Sequence, residues 1–365
     1  MESFRKTLFL FVLCTLPCKI NAILQSPSSP FSCKRFTPIY AFGDSITDTG
    51  NKVLAFPASA TASHPPYGQT YFGRPTGRYC DGRLMLDFLT TALNEDLLPP
   101  HLAHPAPDGS ENFAFGGATA LDAQSLSRIA NVTGPASISL DIQISYFNND
   151  TSCANLSDAL VYFGMIGGND YISTFRAQRP ASIVEKLIDP VAMAISTALS
   201  DIISRGVKHI VVQGQFPIGC VYVLTYVLRS STTDRNGCIE SANLISYEHN
   251  RRLKNAVSAI ARKHTDVNIV FFDTSAAFFY ILENAKLFGF TNLHEPCYTG
   301  VLQLYAGRSV NASLGTEACS NPQNYISWDG IHFTEGMYHA LMKLFLTDPR
   351  FVSPSSNFLS SCTHI

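Results

Sequence analysis

The sequence predicts an α/β fold in three layers, with helices covering both faces of a parallel sheet. Three observations carry that prediction. Apolar runs of four to eight residues recur without polar alternation, amphipathic stretches of helical period separate them, and glycines close several of the runs. Strands buried on both faces read as unbroken apolar runs, whereas strands with one wet face alternate.

The chain opens on a segment outside this rhythm. Arg5 and Lys6 precede the apolar run Leu8 to Leu16, and a small residue, Ala22, comes before the turn-prone Gln25-Ser26-Pro27-Ser28-Ser29-Pro30. Nine apolar residues rise about 14 Å as a helix, less than half of a hydrocarbon core of ~30 Å. Residues 1–22 therefore read as a secretory signal peptide and 23–37 as a linker. No later segment reads as apolar enough to span a bilayer.

The first strand is Ile39-Tyr40-Ala41-Phe42, stopping at Gly43, and a second buried run, Ala159 to Ile166, stops at Gly167-Gly168. From Ile183 to Ser204, apolar residues spaced by three and four define one helical face, which Pro190 is expected to kink or divide. Val207 to Val212 is a β-branched strand ending near Gly214. The cycle repeats with a helix over Leu244 to Ala261 and a strand at Asn268-Ile269-Val270-Phe271-Phe272, and a final helix runs from Thr334 to Leu346. The rhythm is unbroken, so residues 38–365 are expected to form a single domain. Phe271-Phe272 and Phe278-Phe279-Tyr280 are expected in the core or a pocket wall.

Charge narrows the function. With 26 Lys+Arg against 28 Asp+Glu the net charge is −2, and no basic run offers a local attraction to phosphate, so nucleic acid is excluded as a partner. Only 15% of residues are charged, where about 25% is usual, which marks a core-rich chain. Of ten cysteines, Cys14 and Cys18 fall in the signal. Eight remain, Cys33, Cys80, Cys153, Cys220, Cys238, Cys297, Cys319 and Cys362, and an even set in a secreted chain suggests disulfides. Cys220 with Cys238 and Cys297 with Cys319 each enclose a short loop-like segment and are the favoured pairs. No metal-ligand spacing appears, so no metal is expected. Asn131, Asn149, Asn155 and Asn311 stand in glycosylation sequons, three of them close together on what should be surface.

In open α/β sheets, ligands sit at the carboxyl ends of the strands. The first strand runs directly into Gly43-Asp44-Ser45-Ile46-Thr47-Asp48, which sets a serine where a nucleophile is exposed at the sheet edge. The same Ser45-x-x-Asp48 spacing also fits a helix capping box. Near the other end, Trp328-Asp329-Gly330-Ile331-His332 puts an aspartate three residues before a histidine, close enough to orient one ring nitrogen and leave the other as a base. The plainer alternative is a turn at Asp329-Gly330 with His332 opening the last helix. Gly116-Gly117 and Gly167-Gly168-Asn169-Asp170 offer donors for an oxyanion, although each is an ordinary turn string when taken alone.

Together and in this order, the four segments resemble the signature blocks of the GDSL, or SGNH, hydrolase family of esterases and lipases, with the spacing of its plant secreted branch. Pro65-Pro66-Tyr67-Gly68, Arg74-Pro75-Thr76-Gly77-Arg78 and Asp81-Gly82-Arg83 extend the likeness. Two departures are visible, Ile46 in place of the leucine of the family's name motif and Met165 where many plant members carry an acid. The resemblance implies a flavodoxin-like sheet of five parallel strands, no cofactor, Ser45, Asp329 and His332 as the catalytic triad, and the Ser45 and Gly117 N–H groups with the Asn169 amide as the oxyanion hole. It also implies hydrolysis of carboxylic esters by a secreted or vacuolar glycoprotein. The inter-block strings look most like the acetylajmalan esterase and sinapine esterase-like branch, which suggests small specialised-metabolite esters. Two alternatives remain open, an acyltransferase passing the same acyl group to an alcohol, and a non-catalytic binding glycoprotein. A monomer without stable membrane insertion is expected. Arg74, Arg78 and Arg83 are expected in surface or structural ion pairs rather than on an anionic substrate.

Overall fold

The computed structural model describes residues 36–103, 105–135, 138–305, 317–355 and 359. The expected signal peptide, most of the linker, Asn311, Cys33 and Cys362 lie outside them. Six strands form one sheet: β1 Ile39–Phe42, β2 Glu111–Asn112, β3 Leu160–Phe163, β4 His209–Gln213, β5 Asn268–Phe272 and β6 Val352–Ser353. Their order is β2-β1-β3-β4-β5-β6, the first five parallel and β6 antiparallel to β5. The parallel part has the flavodoxin-like order, and the short antiparallel edge departs from the all-parallel sheet that was expected. β2 and β6 have two residues each, too few to show a periodic signal.

The helices that matter here are α1 Asn51–Ala55, α2 Met85–Ala92, α3 Ala123–Ala130, α4 Leu140–Asp150, α5 Gly168–Arg176, α6 Ala181–Val184, α7 Ile188–Ser204, α8 Tyr222–Val227, α9 Glu240–Lys263, α10 Thr274–Glu283, α11 Leu302–Tyr305 and α12 Glu335–Thr347. α7 packs on α4 and α9, while α12 packs on α2 and α10. These two groups are the outer layers. Between them the middle of the sheet is buried: every residue of β1, β3 and β4 is covered, and Phe42, at 0% exposure, stacks on Phe113 and Phe163.

Two local expectations are corrected. Pro190 does not break its helix at its own position. The break falls one turn earlier, at the 3₁₀ turn Glu185–Leu187, because the proline has no N–H for the Lys186 carbonyl and its ring crowds that oxygen. The stretch Ala181–Ser204 is also long and apolar enough, by composition, to cross a membrane, contrary to the sequence reading. Half of its most apolar window is buried in the fold, where the α4 and α9 contacts account for the apolar face. Phe271, Phe272 and Phe278 are core residues, as expected.

Both favoured disulfides are present, Cys220–Cys238 and Cys297–Cys319. The even cysteine count misleads at Cys80, which is a buried free thiol whose sulfur accepts from the Gly82 N–H. Asn131, Asn149 and Asn155 are all exposed. At the β2 edge, His101 Nδ1 lies 3.1 Å from Glu111 Oε2 and 3.2 Å from Asp150 Oδ2, tying the edge strand to the end of α4.

Candidate active site

β1 and β3 are neighbours, yet the chain leaves β1 toward β2 on one side and reaches β3 on the other. This switch point opens a crevice at their carboxyl ends. Ser45 follows β1 and Asn169 follows β3, so topology alone carries both to the crevice.

The backbone around Ser45 is held from several directions. Gly43 turns the chain at φ +147°, a conformation L residues rarely adopt, and a Cβ there would come within 3.0 Å of the Met165 carbonyl oxygen. Gln143 of α4 grips the Gly43 peptide from both sides, its Oε1 accepting from the N–H at 3.0 Å and its Nε2 donating to the C=O at 2.9 Å. Asp44 N–H donates to the Met165 carbonyl. Met165 is itself buried and does not line the cavity, so its replacement of an acid bears on the site only through this backbone contact.

Asp48, not Ser45, performs the capping. Its carboxylate accepts from the N–H groups of Gly50, Asn51 and Lys52 at the start of α1 and from Gly116 at 2.7 Å. The capping-box reading of Ser45 is thereby excluded, and Asp48 instead ties the Gly116-Gly117 loop to the serine loop. Asn112 reinforces the same join, its amide donating to the Thr47 carbonyl at 2.6 Å.

Ser45 Oγ lies 2.7 Å from His332 Nε2, and His332 Nδ1 lies 2.7 Å from Asp329 Oδ2. The second Asp329 oxygen accepts from the Ile331 and His332 N–H groups, at 3.0 and 2.8 Å, which fixes the turn between them. His332 does not open α12. That helix starts at Glu335 with Thr334 as its cap, leaving the imidazole in the preceding turn. Asp329 is completely buried, which by itself would raise its pKa. The charge and hydrogen bond of His332 and the backbone N–H groups outweigh burial and hold it below the ordinary carboxylate value.

Gly117 and Asn169 border the same cavity as Ser45 and His332, a cleft of about 320 Å³. Among the described residues the N–H groups of Ser45 and Gly117 have no acceptor, and Asn169 Nδ2 spends one hydrogen on the Ala118 carbonyl at 2.9 Å and keeps the other. Asp170 braces the loop by accepting from the Ala120 and Leu121 N–H groups. Four of the five sequence-predicted site residues, Ser45, Gly117, Asn169 and His332, thus border one cleft, and Asp329 stands behind it against His332. A serine hydroxyl on an imidazole, an imidazole on a buried carboxylate and a set of unspent N–H donors are the parts that acyl transfer requires.

Some participants escape sequence reasoning. Tyr67 OH donates to Asp329 Oδ2 at 2.7 Å and contacts Tyr305 OH at 3.2 Å, which in turn meets Thr61 Oγ1 at 2.8 Å. The only signal was the Pro65-Pro66-Tyr67-Gly68 string, which said nothing of a role. Lys52 and Arg176 also line the cleft. The arginines singled out from the sequence do otherwise: Arg78 forms a buried two-pronged pair with Asp87, Arg83 pairs with Glu335, and Arg74 is exposed.

The family model described as GDSL-like Lipase/Acylhydrolase matches residues 39–345. A GDSL esterase/lipase of Arabidopsis thaliana is 33% identical over 370 residues, covering 94% of this chain and 89% of its own. Acetylajmalan esterase 2 of Rauvolfia serpentina is 34% identical over 328 residues, covering 86% and 90%, and acetylajmalan esterase 1 of that plant is 34% identical over 341 residues, covering 89% of each.

Proposed function

The chain belongs to the GDSL-like lipase/acylhydrolase family and is a carboxylic ester hydrolase, and from that premise we propose a serine esterase of small-molecule esters working through an acyl-enzyme on Ser45. The observation that carries the proposal is the unbroken line Ser45 Oγ, His332, Asp329, with both links at 2.7 Å.

His332 Nε2 takes the hydroxyl proton as Ser45 Oγ attacks the ester carbonyl. Asp329 stays ionised and stabilises the imidazolium while fixing its tautomer. The negative oxygen of the tetrahedral intermediate is met by the Ser45 and Gly117 N–H groups and the free hydrogen of the Asn169 amide. His332 then returns the proton to the leaving alcohol. A water activated by the same imidazole attacks the acyl-serine, and the acid departs. The substrates fall among small specialised-metabolite esters, a reading supported by the likeness to the acetylajmalan esterases and by a cleft sized for one small molecule. Entry to the secretory pathway is supported by two disulfides and three exposed sequons.

The test is a fluorophosphonate probe, which labels only an activated serine. Wild-type protein is expected to be labelled with loss of ester hydrolysis, and Ser45→Ala to take no label and to hydrolyse nothing above background. Equal labelling of the two proteins refutes the mechanism.

A further inference from the structure

The cleft wall carries a charge pattern that the hydrolytic mechanism does not use. Along α5, Asn169, Ile172, Ser173 and Arg176 all line the cavity, at the spacing of three and four that keeps them on one face. Arg176 therefore stands on the same wall as the oxyanion amide, about 10 Å further along the helix at 1.5 Å per residue. Its Nη2 donates to the Leu304 carbonyl, but its Nε is buried with no partner. Lys52, which also lines the cavity, borders the Gly116-Gly117 loop, its ammonium over the rings of Phe56 and Phe115 at 4.8 and 5.4 Å.

Among the described residues neither cation has a carboxylate within 4.0 Å, and no Asp or Glu lines the cavity. Asp48 and Asp329 lie behind the wall with their oxygens already engaged. Burial pulls the pKa of both Lys52 and Arg176 down and outweighs the opposing pull of Asp48 on the first and Tyr305 on the second, as expected of charges partly stripped of water. A ligand anion is what relieves that cost. A guanidinium with spare N–H groups suits a planar carboxylate in particular.

Building on the esterase reading above, we propose that the preferred substrate is an ester bearing a carboxylate on the part that extends along α5, and that esters with a cation there are disfavoured. This sharpens and partly redirects the substrate expectation, because a protonated alkaloid amine in that position would meet like charge.

The test compares kcat/KM for the acetyl esters of 3-hydroxybenzoate, 3-cresol and 3-hydroxyphenyltrimethylammonium, each divided by its own alkaline hydrolysis rate. A second series, monophenyl adipate against phenyl hexanoate, places the charge on the acyl part. In at least one series the anion is expected to lead the neutral ester by about tenfold or more, the cation to trail, and the lead to shrink at high salt. Arg176→Gln is expected to bring the anion-to-neutral ratio toward one. Hydrolysis of the neutral esters with no anionic lead in either series overturns this inference alone, as does a lead that a folded Arg176→Gln protein retains in full. If the variant fails to fold, the wild-type ranking and its salt dependence decide. Failure to hydrolyse any member overturns the esterase reading and this inference with it.

Discussion

Asp44 and Asp329 lie on either side of the Ser45–His332 hydrogen bond, both almost wholly buried, and their carboxyls behave oppositely. Burial, helped by the charge of Asp48, pushes Asp44 up to about 7 against the Ile46 N–H, the charge of His332 and its own backbone N–H, which pull it down. Asp329 is held below its ordinary value because the imidazole touches one oxygen and backbone N–H groups hold the other. Asp48, next to Asp44 in space, is pushed up to about 6 although four backbone N–H groups face it. Burial alone does not decide whether an aspartate is ionised. A cationic or ionisable partner in direct contact outweighs it, and dipoles alone fall short. The serine loop is thus built from carboxyls that structure the backbone, whereas the histidine turn contains the one that serves as a charge.

The most severe way to break this contrast is to remove the charge at the histidine turn. Asp329→Asn keeps the size and the backbone contacts but presents an uncharged amide that favours the wrong imidazole tautomer. Turnover is expected to fall about 10⁴-fold, with the fold intact by circular dichroism. A loss of tenfold or less would mean that His332 is oriented by something other than this carboxylate.

The two regions also differ in how far they can be read from sequence. Asp329 and His332 are three residues apart and joined through one turn, so their spacing suggests the pair locally, although it fits a plain turn until the serine segment is set beside it. The serine loop is announced by Gly43-Asp44-Ser45, but what holds it is distant: Gln143 stands 100 residues away and Asn112 reaches Thr47 across 65, and even at the histidine turn the Tyr67 hydroxyl meets Asp329 across 262. Such contacts depend on how helices dock on the sheet, and no local pattern encodes them. The same limit applies to the strands. β1, β3, β4 and β5 are central and apolar enough to be seen, whereas the two-residue β2 and β6 exist only because a neighbouring strand offers an edge. Arg176 was invisible for a related reason, since its place in the cleft follows from the α5 periodicity measured from Asn169. Taken alone it looks like an ordinary basic residue ending a helix.

A second test sharpens the contrast through pH. Asp44 binds its proton in the folded protein up to about pH 7 but releases it near pH 3.8 when unfolded. Between those values the folded state holds more protons than the unfolded one, so this carboxyl makes stability fall as pH rises, by about 1.4 kcal/mol per pH unit at most. Asp329 has the opposite sign: its contribution is complete above the unfolded value and is lost only as pH drops through its lower folded value. Asp44→Asn is therefore expected to flatten the decline in unfolding free energy between pH 4 and 7, measured by urea titration at several pH values. An unchanged slope would show that Asp44 is ionised in the fold and that the contrast with Asp329 is false.

The smallest expected effect isolates the hydroxyl that reaches Asp329 from outside the local turn. Tyr67 is buried among Tyr79, Tyr298 and Trp328, with ring centroids 6.2, 5.7 and 5.8 Å away, so Tyr67→Phe preserves the packing and deletes only the donor. Hydrogen bonds to a charged group are worth about 1.5–3 kcal/mol, and part of this one is lost in any case when the imidazolium forms and strengthens its own hold on the carboxylate. A fall in kcat of about tenfold, with KM nearly constant, is the expected result. If Tyr67 acted only through packing, kcat would stay at the wild-type value, and Asp329 would owe its low pKa to the histidine turn alone.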